Sequence, residues 1–230
     1  MVINKKVCIL ALIITASFMN LSAIEISANL NGGGSVWTGN WTDKITAFSE
    51  DFSQQPVSFL FPAIYISADI LFSPWNLFTI GFSLGGGNWG GRVISEGGSG
   101  APRVSSIYFG ALESAVLAGK SFALQKGYIN TLIKTGIGYM VSPLYISETW
   151  QQISSVQSIP ADSINPIYLF AGLSVSYGKP FGSLLISGTI FLDGAAGAIT
   201  GRKDLDYFYR FGLGLRVSRD FSRSGGGYSR

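Results

Sequence analysis

Histidine is absent from this 230-residue sequence, and cysteine occurs once, as Cys8. Without imidazole there is no His-based triad, no imidazole general base and no imidazole metal ligand. Charge is scarce too, with Asp, Glu, Lys and Arg together making up 13% of the chain. The neighbouring acids Glu50-Asp51 and Asp204/Asp206 read as solvated loop charges, not as a catalytic dyad. No enzyme, cofactor or metal centre is expected from this inventory. Long apolar runs are missing as well. Beyond residue 23 every apolar stretch is broken by Gly, Ser, Asp, Glu or Lys within the roughly 18 residues that a helical membrane span requires. Thirty glycines would weaken helices throughout.

The first stretch reads as an address. Lys5 and Lys6 make a positive start, Val7 to Phe18 is apolar or small, and Leu21-Ser22-Ala23 offers a small residue at a cut. That is the pattern of a secretory signal peptide over 1–23, with Cys8 inside its apolar segment and lost with it. Removing it takes Lys5 and Lys6 away, so Lys+Arg falls from 16 to 14 against 13 Asp+Glu, and the formal net charge drops from +3 to +1. Such a balance gives no reason to expect nucleic acid as a partner. An exported chain with no disulfide needs another way of holding itself together. Closing a sheet on itself supplies one, because every strand edge is then hydrogen-bonded.

What is present is alternation. Mean hydropathy is positive, +0.34, yet the apolar residues recur at every second position, the period of a strand with two different faces. In the first such segment Ile24, Ile26, Ala28 and Leu30 oppose Glu25, Ser27, Asn29 and Asn31. Around 57–72, Leu60, Pro62, Ile64, Ile66, Ala68, Ile70 and Phe72 oppose Tyr65, Ser67 and Asp69. From Leu77 to about Gly85, Phe78, Ile80, Phe82 and Leu84 oppose Thr79, Gly81 and Ser83. Over 104–118 the phase follows from turning Glu113 inward, which leaves Tyr108, Leu112 and Val116 outside. Ile133 and Ile137 in the fifth segment, Leu169 and Leu173 in the sixth, and Ile186 and Ile190 in the seventh continue the series, the last opposite Ser187, Thr189 and Asp193. In the eighth, about 207–221, Phe211, Leu213, Leu215 and Val217 oppose Arg210, Gly212, Gly214, Arg216 and Ser218, and the segment closes on Phe221.

A final amphipathic strand ending in an aromatic residue is similar to the insertion signal of bacterial outer-membrane barrels. The whole exported portion resembles the small eight-stranded family of the OmpA transmembrane domain and OmpX. The resemblance implies an all-β, eight-stranded antiparallel up-and-down transmembrane barrel over 24–221, set in outer-membrane lipid by the barrel-insertion machinery, with periplasmic termini. Phe221 would carry the insertion signal. One departure is visible, a nine-residue tail, 222–230, with Gly225-Gly226-Gly227.

Connections alternate in length. Short joins are expected near 73–76, 119–127 and 179–182, and long ones over 38–56, 86–103, 142–163 and 194–206, which places the long loops on one side. The run Gly85-Gly86-Gly87-Asn88-Trp89-Gly90-Gly91 reads as a flexible loop, since no Gly-Lys-Ser/Thr follows to make a phosphate cradle. Gly32-Gly33-Gly34 reads as a kink at the rim. Pro56, Pro102, Pro143, Pro160 and Pro166 fall in loops or at strand ends, but Pro62 falls mid-strand, where only a bulge would accommodate it. Two aromatic belts are expected: Phe72, Trp75, Phe78, Phe122, Tyr177 and Phe181 at the short-turn end, and Trp37, Trp41, Tyr139, Tyr207 and Phe208 at the other.

Outward apolar faces leave the charges inside. Glu113 and Lys134 lie equally far from position 123.5, so a hairpin centred there would make them cross-strand neighbours. Together with Glu25, Asp69, Arg210 and Arg216 they are expected to form an ion network filling a lumen only wide enough for side chains. Loop tryptophans Trp41, Trp89 and Trp150 are candidates for anchoring an extracellular ligand or host surface. Three readings follow: a filled barrel serving surface interaction or envelope structure, a narrow pore using the same charges as its filter, and a soluble lipocalin-like periplasmic barrel with its apolar faces turned inward.

Overall fold

In a computed structural model of the chain, residues 24–38, 57–73, 78–96, 102–149, 152–158, 166–197 and 206–220 are described. They form β1 (Ile24–Thr38), β2 (Val57–Phe59), β3 (Phe61–Phe72), β4 (Thr79–Glu96), β5 (Pro102–Leu124), β6 (Gly127–Thr149), β7 (Gln152–Ser158), β8 (Ile167–Phe181), β9 (Leu184–Gly197) and β10 (Asp206–Asp220). Pairing runs β1-β3-β4-β5-β6-β8-β9-β10 and back to β1, so eight antiparallel strands close into a barrel. The last strand seals the first from Glu25↔Asp220 to Thr38↔Tyr207. This is the eight-stranded architecture the resemblance implied. The signal peptide, the tail and Phe221 lie outside the described residues.

Every strand keeps the expected phase. Alternation along β3 and β9 is regular, with Ala63, Tyr65, Ser67, Asp69 and Leu71 buried between exposed neighbours, and the same for Leu185 to Asp193. On the outside Leu84 and Leu213 are each 67% exposed, Leu169 65% and Ile190 64%. On the inside Asp193 and Arg210 are both 0% exposed. A soluble barrel reverses this arrangement, since apolar area left in water costs about 25 cal/mol per Å². The lipocalin-like reading is therefore not the observed one.

Strand lengths differ from the sequence expectation at the long-loop end. β4 continues to Glu96 and β5 begins at Pro102, where a loop over 86–103 was expected. β6 continues to Thr149 and is followed by β7, in place of a loop over 142–163. Glycine and proline suggested breaks there, but β5 pairs β4 without interruption up to Glu96↔Pro102 and β6 up to Arg103↔Thr149, so tertiary pairing overrides local propensity. β1 likewise passes unbroken through Gly32-Gly33-Gly34. Pro143 lies within β6 at an irregularity, not in a loop. Pairing slips between Tyr108 and Gly110, and Ser142 takes a left-handed φ of 47° beside it, so the missing donor falls where the ladder is already open.

Pro62 finds a similar accommodation. The β3–β4 ladder stops at Tyr65↔Gly87 and resumes as β2–β4 at Phe59↔Arg92. In the gap the Asn88 side chain stands in for a partner strand, its Nδ2 donating to Pro62 O at 2.7 Å and its Oδ1 accepting from Ile64 N at 2.7 Å.

Both described short turns are tighter than expected. Leu124 pairs Gly127 across Gln125-Lys126, and Phe181 pairs Leu184 across Gly182-Ser183. Gly182 adopts φ 62°, the left-handed first position that a II′ hairpin needs and glycine supplies.

Candidate functional site

The lumen is where the polar chemistry collects. Its centre is Arg210, placed inward on β10 by the alternation and fully buried. Its NH2 donates to Glu113 Oε2 at 3.0 Å and to Asp193 Oδ2 at 2.8 Å, and its Nε donates to Asp193 Oδ2 at 3.1 Å. Lys134 Nζ stands 2.9 Å from Asp193 Oδ1. Two acids and two bases thus neutralise one another, which is the condition under which buried charges are tolerated. Aromatic faces enclose the guanidinium, with the Tyr65 and Trp89 rings each 4.2 Å from Arg210 Cζ. Cation–π contacts of this kind are worth up to about 2 kcal/mol when desolvated.

Glu113 is held from a second side. Trp89 Nε1 donates to Glu113 Oε1 at 2.7 Å and to the Tyr168 hydroxyl at 3.0 Å, and that hydroxyl donates to Glu113 Oε1 at 2.9 Å. Around this group Trp37, Phe109 and Phe208 pack with 0% exposure. Trp37 stacks on Phe208 at 5.5 Å and 9°, and Phe109 meets Phe208 edge-on at 5.3 Å. Aromatic rings and ion pairs thus crowd the barrel interior at this level.

A second charged group sits nearer the short-turn end. Arg216 NH2 donates to Glu25 Oε1 at 3.1 Å, and its NH1 lies 3.8 Å from Asp69 Oδ2. Asp69 also accepts from Asn29 Nδ2 at 2.8 Å and Ser83 Oγ at 2.7 Å, with Ser27 and Ser67 at 3.3 Å. Between the two groups a polar cavity of about 30 Å³ touches Asn31, Asp69, Lys134 and Arg216, room for about two water molecules.

All six charges singled out from the sequence face the lumen, but not as one network. Glu113 does not face Lys134: the hairpin turns at Gln125-Lys126, so Glu113 pairs Gly138 and Lys134 pairs Leu117. A centre two residues later than 123.5 moves the two charges apart along the strands, and Asp193 and Arg210 bridge the gap. Arg216 belongs with Glu25 and Asp69, not with Glu113. Asp193 was legible as an inward residue of the seventh segment, yet its part in the network was not.

Trp89 is the plainest correction. It is no loop anchor: β4 carries it inward opposite Phe109 on β5, and it is completely buried. The glycines before it have a packing reason, because a Cβ on Gly85 would collide with the Tyr65 hydroxyl. Trp37 and Phe208 likewise leave the expected belt for the lumen. Outward aromatics do mark both ends, with Phe78, Phe122, Tyr177 and Phe181 at one and Tyr139, Tyr207 and Tyr209 at the other. Trp41, Trp75 and Trp150 lie outside the described residues.

Gly172 makes a test of the packing. A Cβ there would strike Asp193 Oδ1 and Lys134 Cε. Gly172→Val is expected to displace that ion pair and to cost about 1–3 kcal/mol, read as a lower urea midpoint in detergent micelles. An unchanged midpoint would show that the site has slack.

No protein-family model matches the chain, and no curated protein sequence does. Among solved structures it is similar to the N-terminal β-barrel domain of Pseudomonas aeruginosa OprF, with 10% identity over 87% of this chain and 98% of that one and a TM-score of 0.34. It is also similar to Neisserial surface protein A, with 8% identity over 85% and 96% and a TM-score of 0.36. A third is Ail of Yersinia pestis, solved with the heparin analogue sucrose octasulfate, with 10% identity over 86% and 99% and a TM-score of 0.33. At such scores the fold rests on the strand pairing itself.

Proposed function

We propose that this protein is an integral outer-membrane barrel with a shut lumen, holding its termini and tight turns in the periplasm and its long connections at the cell surface. The observation that carries the reading is the inversion of the molecule: large aliphatic residues from 37% to 67% exposed on the outside, and Arg210 locked between Glu113 and Asp193 within. Hydrocarbon satisfies the first, and a closed ladder leaves no strand edge for it to meet. The filled section across Trp89, Tyr168, Phe109 and Phe208 favours a plug over a pore. Both buried carboxylates of the upper group are engaged by Arg210, which favours structural work over catalysis.

A surface role draws support from the strands beyond the barrel wall. β6 leaves β8 after Tyr139↔Ile167 but stays paired with β5 up to Arg103↔Thr149, and β7 adds to its free side. The resulting sheet stands clear of the ring on the long-connection side, where interaction sites are usually placed.

In planar bilayers the purified barrel is expected to give no unitary steps at 100 mV. Reproducible steps that change with Lys134→Ala would establish the pore instead. Deleting 38–56 is expected to abolish surface adhesion while the heat-modifiable band persists. Unchanged adhesion with altered envelope integrity would favour a purely structural role.

A further inference from the structure

Two buried polar atoms bordering the cavity between the ion groups have no hydrogen-bond partner among the described residues, Asn31 Oδ1 and Arg216 Nε. Asn31 is 7% exposed and Arg216 3%. Asn31 reaches this place because its partner on β10 is Gly214, where a Cβ would collide with Asn31 Oδ1. The amide therefore lies over β10, one inward position from Arg216. The rest of the guanidinium is committed, with NH2 donating to Glu25 and NH1 facing Asp69. On the far side Lys134 directs one of its three N–H groups to Asp193 and borders the cavity too.

The lining carries both signs of charge. An anion in this space would meet Asp69, and a cation would meet Lys134 and Arg216, so an ion of either sign faces a like charge. A buried donor and a buried acceptor side by side, each costly to leave unmet, call instead for a small neutral molecule that both accepts and donates. Water has that chemistry, and a cavity of about 30 Å³ takes about two molecules. We infer that ordered water is bound here as part of the fold, accepting from Arg216 Nε and Lys134 and donating to Asn31 Oδ1 and Asp69. It joins the two ion groups into one electrostatic unit, because hydrogen bonds in series polarise one another. This goes beyond the shut-lumen reading, which the bilayer recordings test separately.

The test uses the full exported chain folded in phospholipid micelles. In the wild type, NOE and ROE spectra are expected to show cross-peaks from water to the Arg216 Nε–H, with the sign that marks long-lived bound water. Asn31→Leu, which puts an apolar group of similar size in place of the amide, should remove them. Lys134→Met and Arg216→Met give a second readout. Combined, they should change the unfolding constant by a factor that departs about fivefold from the product of their separate effects, whereas in the Asn31→Leu background the two effects should simply multiply. An Arg216 Nε–H without contact to water in the wild type, or coupling that persists in the Asn31→Leu background, overturns the proposal. So does a urea midpoint that rises when gluconate is exchanged for chloride, or N-methylglucamine for sodium, since either result assigns the cavity to an ion.

Discussion

Arg210→Ala is expected to cost about 3–5 kcal/mol, because it strips the counter-charge from two carboxylates that water does not reach. Glu113 would keep only the Trp89 and Tyr168 donors, and Asp193 only Lys134. Removing a side chain that fills the space between Tyr65 and Trp89 also leaves a void whose lining loses its contacts. In urea titrations in detergent micelles the unfolding midpoint should fall sharply, with the heat-modifiable fraction falling alongside it. The double variant Arg210→Met with Glu113→Gln separates charge from volume. It leaves Asp193 neutralised by Lys134 and restores bulk, so it should recover most of the lost stability. A single alanine variant within about 1 kcal/mol of the wild type would show that the pair is solvated in practice and that the lumen is wet.

Leu213→Arg probes the other surface. Leu213 is central in β10 and 67% exposed, with Gly32 and Ile190 as its cross-strand partners. On a protein dissolved in water this change would be close to neutral. In a bilayer it places a guanidinium at mid-depth, at a cost of about 2–4 kcal/mol. The expected result is a marked loss of folded barrel in phosphatidylcholine vesicles, while Arg219, three turns of the alternation closer to the rim, is accommodated there already. A Leu213→Arg chain that folds in lipid as well as the wild type would remove the hydrocarbon from the outside of the barrel.

The strand phases were legible because each is enforced at many positions at once. Sliding β9 by one residue would drive Ile186, Ile190 and Leu192 inward and expose Asp193, so few registers are compatible with the sequence. Strand ends were less legible. The 85–91 run has the composition of a loop, and nothing local says that Tyr65, twenty residues away, needs the room those glycines leave. The same applies to Pro62, tolerated because Asn88 replaces a missing strand.

The ion network divides in the same way. That Glu25, Asp69, Glu113, Lys134, Arg210 and Arg216 face inward follows from parity alone, a property of each strand by itself. Which acid meets which base depends on where each hairpin turns and how each strand is staggered against the next. A shift of two residues at Gln125-Lys126 was enough to give Glu113 to Arg210 and Lys134 to Asp193. Period-two alternation, eight times repeated, determined from the sequence alone which residues of each strand share a face, and the burial then showed that the apolar face is the outer one. Stagger and closure, which no single strand encodes, decided the partners of each charge and sent Trp89 into the lumen rather than toward the surface.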